Sequence, residues 1–440
     1  GVDSLLLAAA ILLTRSPTAG LTLSFWLSFC SLALLMYVGW TRPRHTKWWQ
    51  WLSGHWWMSV LLAPMTGFVF QMMSITAPLA NAVAIPVVTL AIVPILLLGI
   101  ASFGWLPDFS DTCWSLAGWC WNALEKFLTV LAAAGPPIEL AFRPTPAQFV
   151  CAIAAVSLLL LPFRTMRWVL APCLLVVFLS PNQRPLRDGE FQVDMLDVGQ
   201  GLSVIVATKN HVLVYDAGAR YATGRDLGAD VVVPHLKASG WRRVDRLVIS
   251  HKDNDHAGGA NAIVSQLFVY DIATPEAQWK ARPTGACVTG LKWSWDGVQF
   301  VVVHPNDALL AKENDRSCVI RVRGNSGTAL LTGDIETTAE RAILATAASL
   351  TADVLLVPHH GSATSSHNAF LKAVSPRYAL VSAGYRNRFG HPAPVIRAAY
   401  RARGIELFST IELGAITVRF GRTLERPLGE RERRRRYWDP

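Results

Sequence analysis

Charge is scarce in the first part of this chain. Of its 440 residues, 16% are Asp, Glu, Lys or Arg, against roughly 25% in a soluble domain. The shortage is local: residues 1–190 hold ten Lys/Arg and seven Asp/Glu, and the other 31 and 24 lie in residues 191–440. That depletion excludes an ordinary water-soluble domain at the start and predicts a membrane region followed by a soluble one. Cysteine pairs of the CxxC type are missing. The seven cysteines (30, 113, 120, 151, 173, 287 and 318) are scattered, which excludes a zinc ribbon and predicts buried apolar side chains rather than a disulfide framework. No signal-peptide pattern opens the chain; it begins at Gly1 within apolar sequence, so an upstream part is expected. No internal repeat is present. The net charge of +10 suits an anionic partner, nucleic acid or lipid headgroups.

What is there begins with apolar stretches at 5–14, 21–40, 56–75, 82–104, 124–142, 147–163 and 167–180. A bilayer core needs about 20 such residues per helix. The stretches at 21–40 and 82–104 meet this, and the last two are short enough for a helical hairpin around "PFRTMR" (162–167). That segment and "TRPRHTK" (41–47) are the basic loops expected in the cytoplasm. If 124–142 also crosses, an odd number of crossings after residue 167 places the following domain outside. Tryptophans at 49, 51, 56, 57, 114, 119 and 121 suit interfacial anchoring. Gln71, Ser74 and Asn81, with Pro78 and Pro86 nearby, are candidates for a polar lining among the helices. The expected organisation is a membrane domain over 1–180, a polar linker over 181–190, a soluble domain over 191–422 and a disordered basic tail over 423–440.

After residue 190 the periodicity changes. "FQVDMLDVGQGLSVIVAT", "HVLVYDAG", "VDRLVISH", "VQFVVVHP", "SCVIRVRG", "TALLTGD", "ADVLLVPHH", "YALVSAG" and "AITVRFG" read as strands, with helices over 259–266, 336–348 and 392–403. This mixture predicts a layered α/β sandwich. Polar residues recur where apolar strands end. "SHKDNDHAGG" places His251, Asp253, Asp255 and His256 after the strand "RLVIS"; "LLTGD" ends in Asp334, "LLVPHHGS" carries His359, His360 and Ser362, and "NRFGHP" offers His391. Imidazole and carboxylate both ligate divalent cations, so one sandwich edge is the expected metal site. Adjacent His359 and His360 are both candidates.

In this order, LDVGQG, DAG, SHxDxDHxGG, TGD, HHGS and GHP resemble the metallo-β-lactamase superfamily. The resemblance implies an αββα sandwich and two divalent metal ions. Asp253 stands where the usual His-x-His-x-Asp-His motif has its second histidine, which makes the site harder and leaves zinc or manganese as candidates. By the same resemblance Asp334 bridges the two metals and His359 or His360 completes the second site. The usual middle histidine is not evident, since His304 sits in a poor match, "VVHPND". Asp255 is expected to be essential for catalysis. His391, or whichever of His359 and His360 is not a ligand, is expected to protonate a leaving oxygen. Asp197, Gln200 and Asp216 are expected to support the site, and Asn314, Ser317 and Ser362 to support it or contact substrate. With the upstream helices, including "GLTLSFWLSFCSLALL" and "SITAPLANAVAIPVVTLAIVPILLLG", the chain resembles the ComEC-type DNA internalisation proteins. That implies an inner-membrane, multi-pass channel passing single-stranded DNA during natural transformation, together with other competence DNA-uptake proteins. Its metal domain would lie on the periplasmic or extracellular side and degrade the other strand. Two other readings are a transporter whose metal domain binds DNA without cleaving it, and a membrane-tethered hydrolase of another phosphodiester.

Overall fold

A computed structural model describes residues 1–41, 47–135, 138–140, 142, 144–160, 164–180, 185–275, 278–279, 282–283, 285–305, 312–346 and 349–433. Outside them fall most of the basic loop 41–47, residues 162 and 163 of the second basic loop, residues 181–184 of the expected linker and residues 434–440 of the expected tail. The side chains of Trp49 and Trp51 also lie outside the described residues. The chain divides into two compact units, Gly1–Gln183 and Arg184–Pro440.

The first unit is helical, with helices Val2–Arg15, Leu23–Thr41, Lys47–Phe70, Ala77–Ser102, Pro107–Ala134, Pro146–Leu160 and Arg164–Leu179. Among the described residues, Ala77–Ser102 is the one helix both long and apolar enough to cross a membrane. The apolar stretch 124–142 is not a helix of its own. Pro107, whose fixed φ suits a first helical position, starts a helix that runs to Ala134 and includes the charged residues Asp108, Asp111, Glu125 and Lys126. Beyond it, Ile138–Glu139 pairs antiparallel with Met72–Met73. Residues 124–142 therefore add no helix of their own beyond Pro107–Ala134. The last two helices do pair: Gln148 Nε2 donates to Val177 O and Ser180 O at 3.1 and 2.7 Å. Of the candidate lining residues, Gln71 donates to Phe142 O at 2.9 Å, and Asn81 lies 3.4 Å from Ser59 Oγ.

The second unit has two facing sheets. One runs in the order Gly285–Ala286, Phe268–Thr274, Arg243–Val248, Val212–Tyr215, Val204–Ala207, Phe191–Met195, Ile416–Phe420, Leu428–Gly429. The other runs Lys292–Trp295, Val298–His304, Val319–Gly324, Gly327–Leu331, Val354–Leu356, Tyr378–Val381, Glu406–Ser409. Alternation decides which side chains face inward. Phe191, Val193 and Met195 of one sheet share a core with Phe300, Val302, Ile320 and Val322 of the other. The opposite faces are covered by helices, Ala260–Gln266 on one side and Thr337–Thr346, Asn368–Val374 and Pro394–Arg401 on the other. The layers are thus αββα. Strands Val212–Tyr215 and Arg243–Val248 run parallel, as do Gly327–Leu331, Val354–Leu356, Tyr378–Val381 and Glu406–Ser409. Their carboxyl ends open onto a common edge.

Two expectations are corrected. The segment after residue 422 is not wholly a disordered tail. Leu428–Gly429 adds a strand to the first sheet, and Arg431 donates to Ile411 O at 2.6 Å and lies 3.6 Å from Asp197, so backbone pairing and charge hold the chain to at least Arg433. Cys287 and Cys318, read from spacing as unbridged, form a disulfide that joins the end of edge strand Gly285–Ala286 in one sheet to the start of the interior strand Val319–Gly324 in the other; both are buried. Cys30, Cys113, Cys120, Cys151 and Cys173 are free.

Candidate metal centre

The motif after Arg243–Val248 is set by backbone contacts. Asp253 caps a one-turn helix, Asn254–Ala257, whose His256 and Ala257 amides both bond to Asp253 O. The glycine pair that follows is forced by crowding: a Cβ on Gly259 would collide with Ala217 O and Gly228 N. Across the edge, Gly333 adopts the left-handed region (φ 55°) in the turn that presents Asp334. Such a backbone costs glycine little.

Five of the seven candidate ligands converge. One donor atom from each of His251, His256 and Asp334 lies within 4.8 Å of the others, and the same holds for Asp255, His256 and His360. Asp334 connects the groups: its Oδ1 is 3.2 Å from His256 Nε2 and its Oδ2 3.4 Å from His360 Nε2. Asp255 Oδ2 is 3.4 Å from His360 Nε2. The other two flank these clusters. Asp253 is half-exposed, with Oδ2 3.5 Å from His251 Nε2. His359 Nε2 is 3.8 Å from Asp334 Oδ2, and its Nδ1 turns to Glu336 at 3.3 Å.

The rings are oriented from behind. Asp216 is buried at a left-handed φ of 61°, accepts from Ser250 N and Oγ at 2.7 Å each, and lies 2.8 Å from His256 Nδ1. His360 Nδ1 bonds to Ser382 O at 2.9 Å. Ser317 accepts from Asp334 N at 3.1 Å and approaches His251 Nδ1 at 3.4 Å; Asn314 lies 3.4 Å from His359 Nε2. Gln200 accepts from Gly384 N at 3.2 Å, while Asp197 meets Gly199 N and Arg431. Ser362 Oγ bonds Thr364 and stays within its own loop. His304 is tied to Asp315 O at 2.6 Å and belongs to neither cluster. His391 stands with its ring centroid 5.8 Å from that of His359.

Charge follows this packing. Burial opposes ionisation of Asp334, yet the His256 and His360 imidazoles hold its carboxyl well below the usual range. Burial likewise opposes a proton on His256, but Asp334 and Asp216 push it well above its ordinary value. His360, buried beside Asp334 and Asp255, is pushed up to about 9. Burial, with His360 and His359 nearby, pushes His391 down. Two buried ligand atoms, His251 Nε2 and Asp334 Oδ1, have no hydrogen-bond partner. Open lone pairs in a set of three histidines and two carboxylates fit a divalent cation.

Four contributors were not singled out in the sequence: Ser250, Glu336, Ser382 and Tyr215, whose hydroxyl bonds Cys318 O at 2.5 Å. Ser250 and Ser382 are strand-end serines, and Glu336 follows Asp334 by two positions in "TGDIE".

Comparison with known proteins agrees with this geometry. Residues 196–385 match the metallo-beta-lactamase superfamily, so the second unit is a metallo-β-lactamase domain, a fold that implies bound divalent metal and metal-dependent hydrolysis. Residues 1–167 match the Competence protein family. Competence protein ComA of Neisseria gonorrhoeae is 35% identical over 94% of this chain and 58% of its own length. Uncharacterized protein YcaI of Escherichia coli is 28% identical over 96% and 56%, and Recombination protein 2 of Haemophilus influenzae 28% over 88% and 53%. The chain thus carries a region of the Competence protein family, over residues 1–167, together with a metallo-β-lactamase domain. It spans just over half the length of these relatives.

Proposed function

We propose that this chain is the membrane and nuclease part of a DNA-uptake protein: its helices belong to an inner-membrane path for single-stranded DNA, and its metal domain cleaves the strand that does not enter. The observation that carries the hydrolytic reading is the junction of two ligand clusters: His256 belongs to both, and Asp334 of the first lies 3.4 Å from His360 of the second. His251, Asp255, His256, Asp334 and His360 would hold two cations, zinc or manganese, with Asp253 at the mouth of the first cluster. Such ions supply an acidified water and positive charge beside phosphorus.

The chain's own residues do the rest. Asp216 and Ser382 O fix His256 and His360 so that their Nε2 atoms face Asp334. Glu336 lies 3.3 Å from His359 Nδ1, and the His359 Nε2 is left toward the cluster to hold or deliver a proton at the leaving oxygen. His391, beside it with an unpartnered buried Nδ1, lines the same side. The buried Cys287–Cys318 bridge supports an outward, oxidising location for this domain.

The test is cleavage of a single-stranded oligonucleotide by the full chain with Mn²⁺ or Zn²⁺. Loss of cleavage on chelation and in Asp255→Ala is expected. One observation favours the binding-only alternative: Asp253, in place of a histidine, stays outside both clusters. Retention of DNA with no cleavage under either metal would select that alternative.

A further inference from the structure

Beside the cluster, the short loop "GYRNRFGH" (384–391) carries four residues, Tyr385, Arg386, Arg388 and Phe389, that the site geometry above leaves without a role. It is held stiffly. Asn387 Nδ2 donates to Gly384 O and His391 O at 2.9 and 2.7 Å, and its Oδ1 accepts from Phe389 N and His391 N at 3.2 and 2.9 Å. Arg386 takes the left-handed region at φ 51°. On this frame two aromatic rings stand in solvent, Tyr385 at 73% and Phe389 at 54% exposure. Each has an arginine over it: Arg386 is 5.3 Å from the Tyr385 centroid and Arg388 4.8 Å from that of Phe389. Among the described residues neither guanidinium meets a carboxylate. The loop is coupled to the metal cluster, because Phe389 stacks on His391 with centroids 5.6 Å apart and planes at 24°.

Exposing large rings to water is unfavourable unless something covers them. Free guanidiniums beside them call for an anion, and rings alternating with cations match a polymer that carries a base and a phosphate per unit. Duplex bases are already stacked on one another, so the match is to an unpaired strand. A lipid surface would better suit a continuous apolar patch, whereas here Arg386, Asn387 and Arg388 separate the rings.

We infer that Tyr385, Arg386, Arg388 and Phe389 form a docking platform on which bases of a single-stranded nucleic acid stack while its phosphates meet the arginines, delivering a neighbouring phosphodiester past His391 to the ligand cluster. This rests on the phosphodiesterase reading above and adds what selects a polymer over a small phosphodiester.

The test is fluorescence anisotropy with the detergent-solubilised full chain in chelator, so that binding is read without turnover. The probes are a labelled oligothymidylate and an abasic strand of equal length. The wild type is expected to prefer the oligothymidylate about 10-fold or more, as stacking of each base implies. Tyr385→Ala with Phe389→Ala erases that preference, and Phe389→Trp retains it. Arg386→Gln with Arg388→Gln weakens both strands and lowers the salt slope by about 1.4, two phosphates' worth for single strands. Equal affinity of the wild type and the Ala double variant for oligothymidylate would overturn the platform. So would loss in that variant of binding to phosphatidylglycerol vesicles alone. Binding by the platform with no cleavage under any metal leaves it standing and removes the hydrolase reading; cleavage with unchanged affinity in the loop variants does the reverse.

Discussion

His360 Nε2 lies 3.4 Å from Asp334 Oδ2, while the adjacent His359 turns its Nδ1 to Glu336 at 3.3 Å. Both residues have positive φ, 47° and 53°, and this tight turn lets neighbours in the chain serve different partners. Their losses should therefore differ. His360→Ala is expected to release metal during dialysis. His359→Ala is expected to keep it and to slow strand cleavage by roughly 100- to 10,000-fold, the usual worth of a positioned proton donor. Elemental analysis beside cleavage rates checks this; equal metal loss in both variants would remove the division of labour.

Asp216 touches no cluster donor facing the cations, yet it sets the tautomer and tilt of His256 through the 2.8 Å contact to Nδ1. Asp216→Asn is expected to weaken metal affinity by about 10- to 100-fold, as loss of such an outer partner commonly does. Competition against a chromogenic chelator measures it. Unchanged affinity would show that Ser250, 3.3 Å from the same nitrogen, suffices alone.

Metal uptake should release protons. In the metal-free chain His360 is pushed up to about 9 and His256 is raised well above its ordinary value. Both hold a proton at neutral pH, and a cation must displace it. Apparent affinity is therefore expected to rise with pH up to about 9, by up to tenfold per unit for each proton released. The stability of the metal-free fold runs the other way: these raised values contribute below the ordinary histidine range, and the contribution is lost as pH rises through about 9. Calorimetry in buffers of different ionisation enthalpy counts the protons. A proton count of zero at pH 7 contradicts the assignment.

The candidate ligands were legible because they sit contiguously, or at strand ends, in apolar surroundings: His251 to His256 after "RLVIS" and Asp334 after "LLTG". Parallel strands then carry those ends to one edge, so strand order in the sheet does what sequence spacing cannot reveal. The choice between His359 and His360 was not legible, because it depends on two left-handed residues in succession. Nor was the helix boundary near residue 124. Hydropathy registers the apolar half of Pro107–Ala134 and passes over its amphipathic first turns. The order of residues 423–433 was masked by composition: a run rich in arginine reads as solvated, although Leu428 pairs with Thr417 and Arg431 reaches Ile411 O.

The disulfide gives a prediction joining stability, location and the metal site. Cys287 and Cys318 are 31 residues apart in sequence and tie the two sheets together. Cys318 N bonds to Ser250 O at 2.9 Å, and Ser317 before it approaches His251. Replacing both cysteines with alanine is expected to cost the domain about 2–4 kcal/mol and to weaken metal binding, because Ser250 and Ser317 lose their anchor. Denaturation and chelator competition measure the two effects. In cells quenched with acid and then alkylated under denaturing conditions, the buried Cys287 and Cys318 should take up a maleimide only if a reductant has been added first. The bridge cannot persist in a reducing cytosol, so free thiols at both positions without reductant would place the metal domain on the inner side and remove the outward assignment.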